Sequence, residues 1–508
     1  MHIMLTQNAY WLAAPLMAFL AIPPLGLAHA EDAPKVRQAA VAGSFYPADP
    51  KVLSAMIDDL LARVSQPVIT DHILAVVAPH AGYQYSGPVA AYTYAQLRGH
   101  KYARVVIIAP SHYESFDYSS VYDGDAYATP LGNVPVDKAF ARQLAKMSST
   151  MRLSIQGHNA TSAGGEHAVE VQLPWLQKVL GNFTIVPIVM GDQSYENSRA
   201  LGVALTKLIK SEANPGDTLV LASSDLSHYH TYDDAVKIDH KTLNALQSWD
   251  YFSMSRNFQS RVWEACGGAP IVAVMIYAEH MGANQARVLK YENSGDVTGD
   301  HSRVVGYSAD VFVKAANAKA AEKPFSLSEA EKNELLALAR KSVEHVVQAK
   351  DAYEPAASTN ATLNQERGAF VTLHKNGELR GCIGYTSATK PLYLTVRDTA
   401  TLAAVRDPRF QPVSASELPQ LAYEISVLSP LRRVTDVEQI RIGEHGLLMK
   451  NGDSEGLLLP QVPVEQKWDR KTFLEQTCRK AQMGSGCWKD EDTDIFAFTA
   501  VVFGEHKP

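Results

Sequence analysis

The chain has 508 residues, too many for one ordinary core, so at least two domains are expected. Hydrophobic residues make up 46% and charged residues 20%, a soluble globular composition with no low-complexity tract. The formal net charge of −7 leaves no basic footprint, which argues against a nucleic-acid partner.

The N-terminus differs from the rest. Residues 10–29 (YWLAAPLMAFLAIPPLGLAH) carry no formal charge, and Ala28-His29-Ala30 places small residues where a signal peptidase reads. Residues 1–30 therefore read as a signal peptide cut after Ala30, although no Lys or Arg precedes the apolar run. An uncleaved anchor is the alternative, and the paired Pro23-Pro24 fits it poorly. The mature protein is then periplasmic or secreted, with no membrane association after signal removal. Its four cysteines (Cys266, Cys382, Cys478 and Cys487) form no CxxC pair, so no zinc ribbon or thioredoxin-type site is indicated. Cys478 and Cys487 are near enough in sequence to close a short disulfide, which spacing alone does not establish.

Short β-branched runs at 73–78, 104–109, 183–190 and 218–222 alternate with helix-like segments at 87–98, 169–180, 195–210 and 233–247. Continuous apolar strands alternating with helices predict an α/β fold, with a mainly parallel or mixed sheet covered on both faces. Ligands gather beyond the carboxyl ends of such strands, where His80 and His112 fall. After VVGYSADVFV (304–313), the Ala- and Lys-rich segment 315–327 reads as a linker. Ser328 and Glu331 then form a capping-box pattern that opens a helix. The first domain is thus 31–314 and the second 328–508. In the second, Asn376-Gly377 within AFVTLHKNGELRGCIG is a strong hairpin signal, and LLMKNGDSEGLLL (447–459) repeats the device. This half reads as a smaller α+β domain.

Four apolar runs end in groups able to bind metal or move protons: APHAGY (His80), APSHY (His112), ASSDLSHYH (Asp225, His228, His230) and EACGGAP (Glu264, Cys266). GGEHAVEVQLPWL adds Glu166 and His167 at a helix start. A lone histidine at a strand end is usually structural. Two in matched contexts, with Asp-x-x-His at a third strand end, shift the balance toward one shared rim. Imidazole, thiolate and carboxylate together suit iron, copper or zinc. If a helical turn follows the strand, Asp225 and His228 share a face, and Asp225 either orients His228 or caps the turn. Tyr83, Tyr85 and Tyr113 offer ring walls or simply pack. His158, His230 and His240 belong to no motif and are expected at the surface or behind the site.

AGSFYPADP, APHAGYQYSGPVAA, APSHY, EHAVEVQLPWL, SSDLSHY and CGGAPI, in this order, resemble the Memo family over about residues 36–314. That family is similar in fold to the LigB-type extradiol dioxygenases. The resemblance implies metal positions at His80, His112 and Cys266, with Asp225 and His228 lining the pocket and His167 an acid/base group or a supporting one. A cysteine stands where the dioxygenases use a carboxylate. Its softness favours copper or thiolate-bound iron over zinc and weakens the case for ring cleavage.

The segments GAFVTLHKNGELRGCIG, LAAVRDPRF, YEISVLSP and LLLPQVPVEQKWDRKTFLEQTC resemble the AMMECR family over about residues 325–508. The signature LRGCIG (379–384) puts Cys382 between Gly381 and Gly384, with Arg380 alongside. The glycines could admit a ligand to the backbone, and Arg380 could lower the thiol pKa for a catalytic role. A tight strand crossing around an inert cysteine is an equal alternative, and His374 lies on the same strand pair. Domains of these two types occur with a radical-SAM protein in the AmmeMemoRadiSam system, which implies such a partner. The expected function is a metal-dependent redox enzyme acting on a small molecule or peptide. A scaffold using the old cleft and an envelope metal carrier are the alternatives.

Overall fold

In a computed structural model, the described residues are 34–161, 164–315, 325–386 and 388–505. The expected signal peptide lies outside them, as does most of the expected linker. Lys35–Pro508 forms one compact unit. No helix among the described residues is long and apolar enough to cross a membrane.

The N-terminal half is built on a nine-stranded sheet. Its strands are β1 (His72–Ala78), β2 (Arg104–Pro110), β3 (Ser119–Tyr122), β4 (Met151–Ser154), β5 (Thr184–Met190), β6 (Thr218–Ser223), β7 (His228–His230), β8 (Gln285–Asn293) and β9 (Val304–Lys314). They run in the order β7-β9-β1-β6-β2-β5-β3-β4, with β8 on β9. The central strands β1, β6, β2 and β5 are parallel. Antiparallel β9 and β3 flank them. The sheet is therefore mixed around a parallel centre, as expected.

Alternation along each strand feeds two cores. Val105 and Ile107 face the helices α1 (Pro50–Ala62), α2 (Tyr83–Gln96) and α3 (Leu173–Leu180). Val106 and Ile108 face α4 (Tyr195–Lys210), α6 (Tyr251–Gln259) and α7 (Gly268–His280), with α5 (Tyr232–Gln247) just before α6. Helix α2 starts four residues earlier than periodicity suggested, because it begins directly after Gly82 and carries Pro88 inside it.

The C-terminal half opens with α8 (Glu329–Ala349), whose Ser328–Glu331 capping box forms as expected. The hairpin strands β10 (Ala369–Lys375) and β11 (Glu378–Tyr385) follow, joined by Asn376-Gly377, both at positive φ as a two-residue hairpin turn requires. Helix α9 (Leu392–Val405) packs against this hairpin. Strands β12 (Leu421–Leu428), β13 (Arg432–Arg433), β14 (Gly446–Asn451), β15 (Ser454–Leu458), β16 (Asp494–Phe498) and β17 (Ala500–Gly504) complete two sheets, β11-β10-β12-β17 and β13-β16-β14-β15. Between β15 and β16 runs α10 (Arg470–Lys480). Cys478 and Cys487 are joined in a disulfide, while Cys266 and Cys382 are free.

The two halves share a core: Leu428, Leu448, Phe496 and Phe498 join the cluster of α4, α6 and α7. At its edge Asp494 accepts from Tyr195 Oη at 2.9 Å and from Arg199 Nε at 2.6 Å.

Candidate functional site

Strands β1, β6 and β2 are neighbours, so the residues just beyond their carboxyl ends (His80, Asp225 and His112) converge. Cys266 arrives from the loop ahead of α7. Gly267 lets that loop close, because a Cβ there would sit 2.4 Å from the Ser223 carbonyl oxygen. The His80 Nε2 and Cys266 Sγ atoms are 3.0 Å apart.

Hydrogen bonds set the tautomer of each ring. The Ser223 hydroxyl donates its one proton to the Ala168 carbonyl at 2.6 Å and accepts from Gln172 Nε2 at 2.8 Å. The 2.9 Å contact from His80 Nδ1 must therefore be an Nδ1–H donor, which leaves the lone pair on Nε2. The thiol of Cys266 is pushed up by burial and by nearby Asp225, so it remains S–H and donates to that lone pair. His112 follows the same plan. Its Nδ1 lies 3.0 Å from Glu166 Oε1, and its backbone N–H donates to Oε2 at 2.7 Å. Glu166 also accepts from the backbone N–H of His167 and Ala168 at 2.9 and 3.0 Å. Burial pushes the Glu166 carboxyl up, but these donors, led by His112, outweigh it and hold its pKa at about 2. The carboxylate is therefore ionised and His112 donates from Nδ1; burial disfavours the charged ring, but Glu166 outweighs it and raises the His112 pKa, so Nε2 offers its lone pair only once the ring is neutral.

His167 completes the wall. Its ring stacks on His112 with centroids 4.7 Å apart and meets His80 edge-on at 5.4 Å. Burial, with His80 and His112 nearby, lowers its pKa to about 3, and its buried Nδ1 has no hydrogen-bond partner. Burial likewise holds His80 neutral. Among the described residues, two overlapping donor sets share His80: His80, His112 and His167, and His80, Asp225 and Cys266. Within each, the ligand atoms lie within 4.8 Å of one another.

Asp225 is buried and accepts from the backbone N–H of His80 and Ala81 at 2.8 and 3.3 Å. Burial still raises its pKa. No helical turn forms between Asp225 and His228. Ser224 N–H donates to the Ala78 carbonyl and Leu226 N–H to the Gly306 carbonyl, so the segment is tied laterally and His228 opens β7. His228 Nδ1 contacts the Leu226 carbonyl at 2.8 Å, which makes it the donor and leaves its Nε2 open. Glu264 turns to His230, at 2.9 Å, at the half-exposed edge. Tyr113 and Tyr229 stand exposed beside His112 and His228, and Tyr85 is also exposed.

Of the motif-free histidines, His240 lies on the surface, whereas His158 is buried. His158 Nε2 meets the Ser120 carbonyl at 3.0 Å and Nδ1 meets the Tyr127 hydroxyl at 2.5 Å, so both nitrogens are satisfied. Ser223 and Gln172 escaped the sequence reading as orienting residues. The Ser-Ser-Asp step before His228 was the available signal for Ser223.

Cys382 lies elsewhere, on β11. Its backbone N–H donates to Asp407 Oδ2 at 2.8 Å, and Thr372 Oγ1 donates to Sγ at 3.3 Å. Arg380 does not activate it, because Arg380 is committed to Glu417 at 2.9 and 3.1 Å. Burial raises the thiol pKa, and the opposing cation is Arg409. The flanking glycines are filled by the protein itself: a Cβ at Gly381 would meet the Ala403 carbonyl oxygen at 2.3 Å, and one at Gly384 the Phe370 ring at 2.2 Å.

Residues 37–311 match a family model described as Memo-like protein, and residues 336–503 match the AMMECR1 model. A MEMO1 family protein of Methanopyrus kandleri is 38% identical over 285 residues, 54% of this chain and 98% of that protein. A relative in Methanobrevibacter smithii is 35% identical over 287 residues, with 54% and 99% covered. Among solved structures, an uncharacterized protein of Pyrococcus horikoshii is 38% identical with a TM-score of 0.35, covering 36% of this chain and 96% of that one.

Proposed function

The chain belongs to the Memo-like family, with an AMMECR1 domain fused behind it, and on that basis we propose that the pocket is a mononuclear transition-metal site with redox chemistry. His80, His112 and Cys266 would hold the ion. One observation carries the reading: both imidazoles have Nδ1 committed to a fixed acceptor, their ligand atoms lie within 4.8 Å of each other, and the His80 Nε2 lies 3.0 Å from the Cys266 sulfur. Two imidazoles and a thiolate fit copper or iron better than a hard cation. Such an ion would supply electron transfer and polarise a bound substrate.

The chain's own residues supply the rest. Cation binding would displace the Cys266 proton, which burial otherwise retains. Neutral His167 and the open Nε2 of His228 are bases placed to take a proton from a substrate, and Asp225 fixes the His80 backbone from below. The exposed tyrosines Tyr113 and Tyr229 leave the mouth suited to a small molecule or a peptide side chain. A metal carrier is the second reading, favoured by His112, whose side chain keeps 27% of its surface open to an exchanging partner. We further propose an exported protein, in keeping with the N-terminal apolar segment and the disulfide. The system's radical-SAM protein is the proposed partner.

Metal quantification on anaerobically purified protein tests the site. About one iron or copper per chain is expected, falling to background in His112→Ala. An unchanged metal content in that variant rules the assignment out. His167→Gln should keep the ion and lose turnover in the enzyme reading, and keep both ion and transfer rate in the carrier reading.

A further inference from the structure

A second sulfur-rich constellation lies at the far end of the C-terminal half. Cys478 on α10 and Cys487 on the loop behind it both abut the thioether of Met449 on β14. The Met449 sulfur lies 3.3 Å from Cys478 Sγ and 3.5 Å from Cys487 Sγ. Cys478 and Met449 are fully buried, within an apolar shell that includes Phe473, Leu474 and Trp488. Cys487 is half-buried and, with Met483, lines an open depression that also contains Asp490 and Thr493.

We propose that Cys478, Cys487 and Met449 form a redox-gated site for a soft monovalent cation, copper(I), closed while the disulfide stands and open once it is reduced. A structural disulfide needs only an apolar neighbour, whereas here a third sulfur touches both members of the bond. Three sulfurs around copper(I), with bonds of about 2.3 Å, stand about 4 Å apart. At 3.3 and 3.5 Å, Met449 stands somewhat inside that separation from each cysteine, so a small outward shift of its sulfur must accompany the parting of the two cysteine sulfurs. The loop Met483-Gly484-Ser485-Gly486-Cys487 has room for this, since a Cβ on either glycine would have no neighbour within 4 Å. The apolar shell would shield a bound copper(I) from water and oxidant.

The chemistry balances with a dithiol as reductant. Two electrons and two protons pass from the dithiol to the Cys478–Cys487 bond, giving two thiols, and the reductant leaves as its own disulfide. Copper(I) then binds with loss of thiol protons and no change in its oxidation state. The free thiols Cys266 and Cys382 are the same in both states, so this site is separable from the His80 pocket.

The test is copper(I) competition against a chromogenic chelator, using the full chain oxidised and then dithiol-reduced and desalted without oxygen. The reduced chain is expected to hold one more copper(I) per molecule than the oxidised chain. Met449→Leu, which keeps both cysteines, should weaken that extra ion at least about tenfold. Equal copper capture in the two states overturns the proposal, as does full capture by Met449→Leu. Loss of the native circular dichroism on reduction also overturns it, because a fold that needs the disulfide cannot be gated by it.

Discussion

The His80 pocket and the Cys382 hairpin each place a free thiol among glycines, a carboxylate and basic side chains, and each carries a recognisable motif. They differ in what their hydrogen bonds leave over. Around His80, Ser223 and Glu166 consume one nitrogen of each ring and leave the other unspent, that of His80 against the thiol of Cys266. Around Cys382, Asp407 takes the backbone N–H, Thr372 donates to the sulfur, and Arg409 turns back onto Asp407 at 2.7 Å. Gly267 brings a loop against the site, whereas Gly381 and Gly384 are occupied by Ala403 and Phe370. A motif's specificity thus marks kinship, while unspent lone pairs mark where a ligand can enter. Both regions hold a carboxylate at about 2, but only Glu166 spends its charge on orienting an imidazole.

The largest expected effect follows from that contrast. Glu166→Gln should weaken metal binding about 100-fold, because His112 loses the charged acceptor, and one of the two oxygens, that hold its ring and backbone. Asp407→Asn should leave metal affinity unchanged. Chelator competition on both variants measures this, and a comparable loss in Asp407→Asn would show that the two regions act as one.

A buried histidine whose nitrogens are both satisfied sharpens the same comparison. Burial lowers the His158 pKa to about 4, led by desolvation and only partly opposed by its bond to the Ser120 carbonyl. The sign follows from the unfolded chain, which takes up this proton first as pH falls. Stability is complete above the ordinary value near 6.5 and is lost downward toward about 4. Lowering the pH from about 6.5 to about 5 should cost about 2 kcal/mol through this residue. Urea titrations of His158→Gln should lack that part of the pH slope, with metal affinity as in the parent. Metal loss in this variant would break the distinction between open and closed nitrogens.

Much of this was legible in sequence, for identifiable reasons. The parallel strands announced themselves by continuous apolar runs, so the convergence of His80, His112 and Asp225 followed from strand adjacency. The Asn376-Gly377 hairpin and the Ser328 cap are local and were read locally. Whether a turn joins Asp225 to His228 was not legible locally, because lateral bonds to Ala78 and Gly306, far away in sequence, override local helical preference. The two readings of Cys382 stayed open for the same reason, since Glu417, which takes up Arg380, lies 37 residues away. His158 looked unremarkable because Tyr127 and Ser120 reach it from separate strands. The disulfide was possible from spacing, but the third sulfur of Met449 comes from a different sheet strand.

The smallest expected effect concerns Cys382, where two arginines compete for the role of activating cation. Burial raises the thiol pKa, Thr372 and Arg409 oppose it, and Arg380 is neutralised by Glu417. Alkylation near neutral pH reports the thiolate fraction. Measured by mass spectrometry on the folded chain, Cys382 should react several-fold more slowly than a small free thiol. Arg409→Ala should slow it further, since its charge favours the thiolate. Arg380→Ala should change the rate little, because it removes a cation already spent. A faster reaction than the free thiol, suppressed by Arg380→Ala, would place an activated nucleophile on this hairpin and make the two regions chemically alike. The surroundings argue against that outcome: burial, with the Asp407 and Glu424 carboxylates, raises the thiol pKa despite the Thr372 hydroxyl and Arg409, which favour the thiolate.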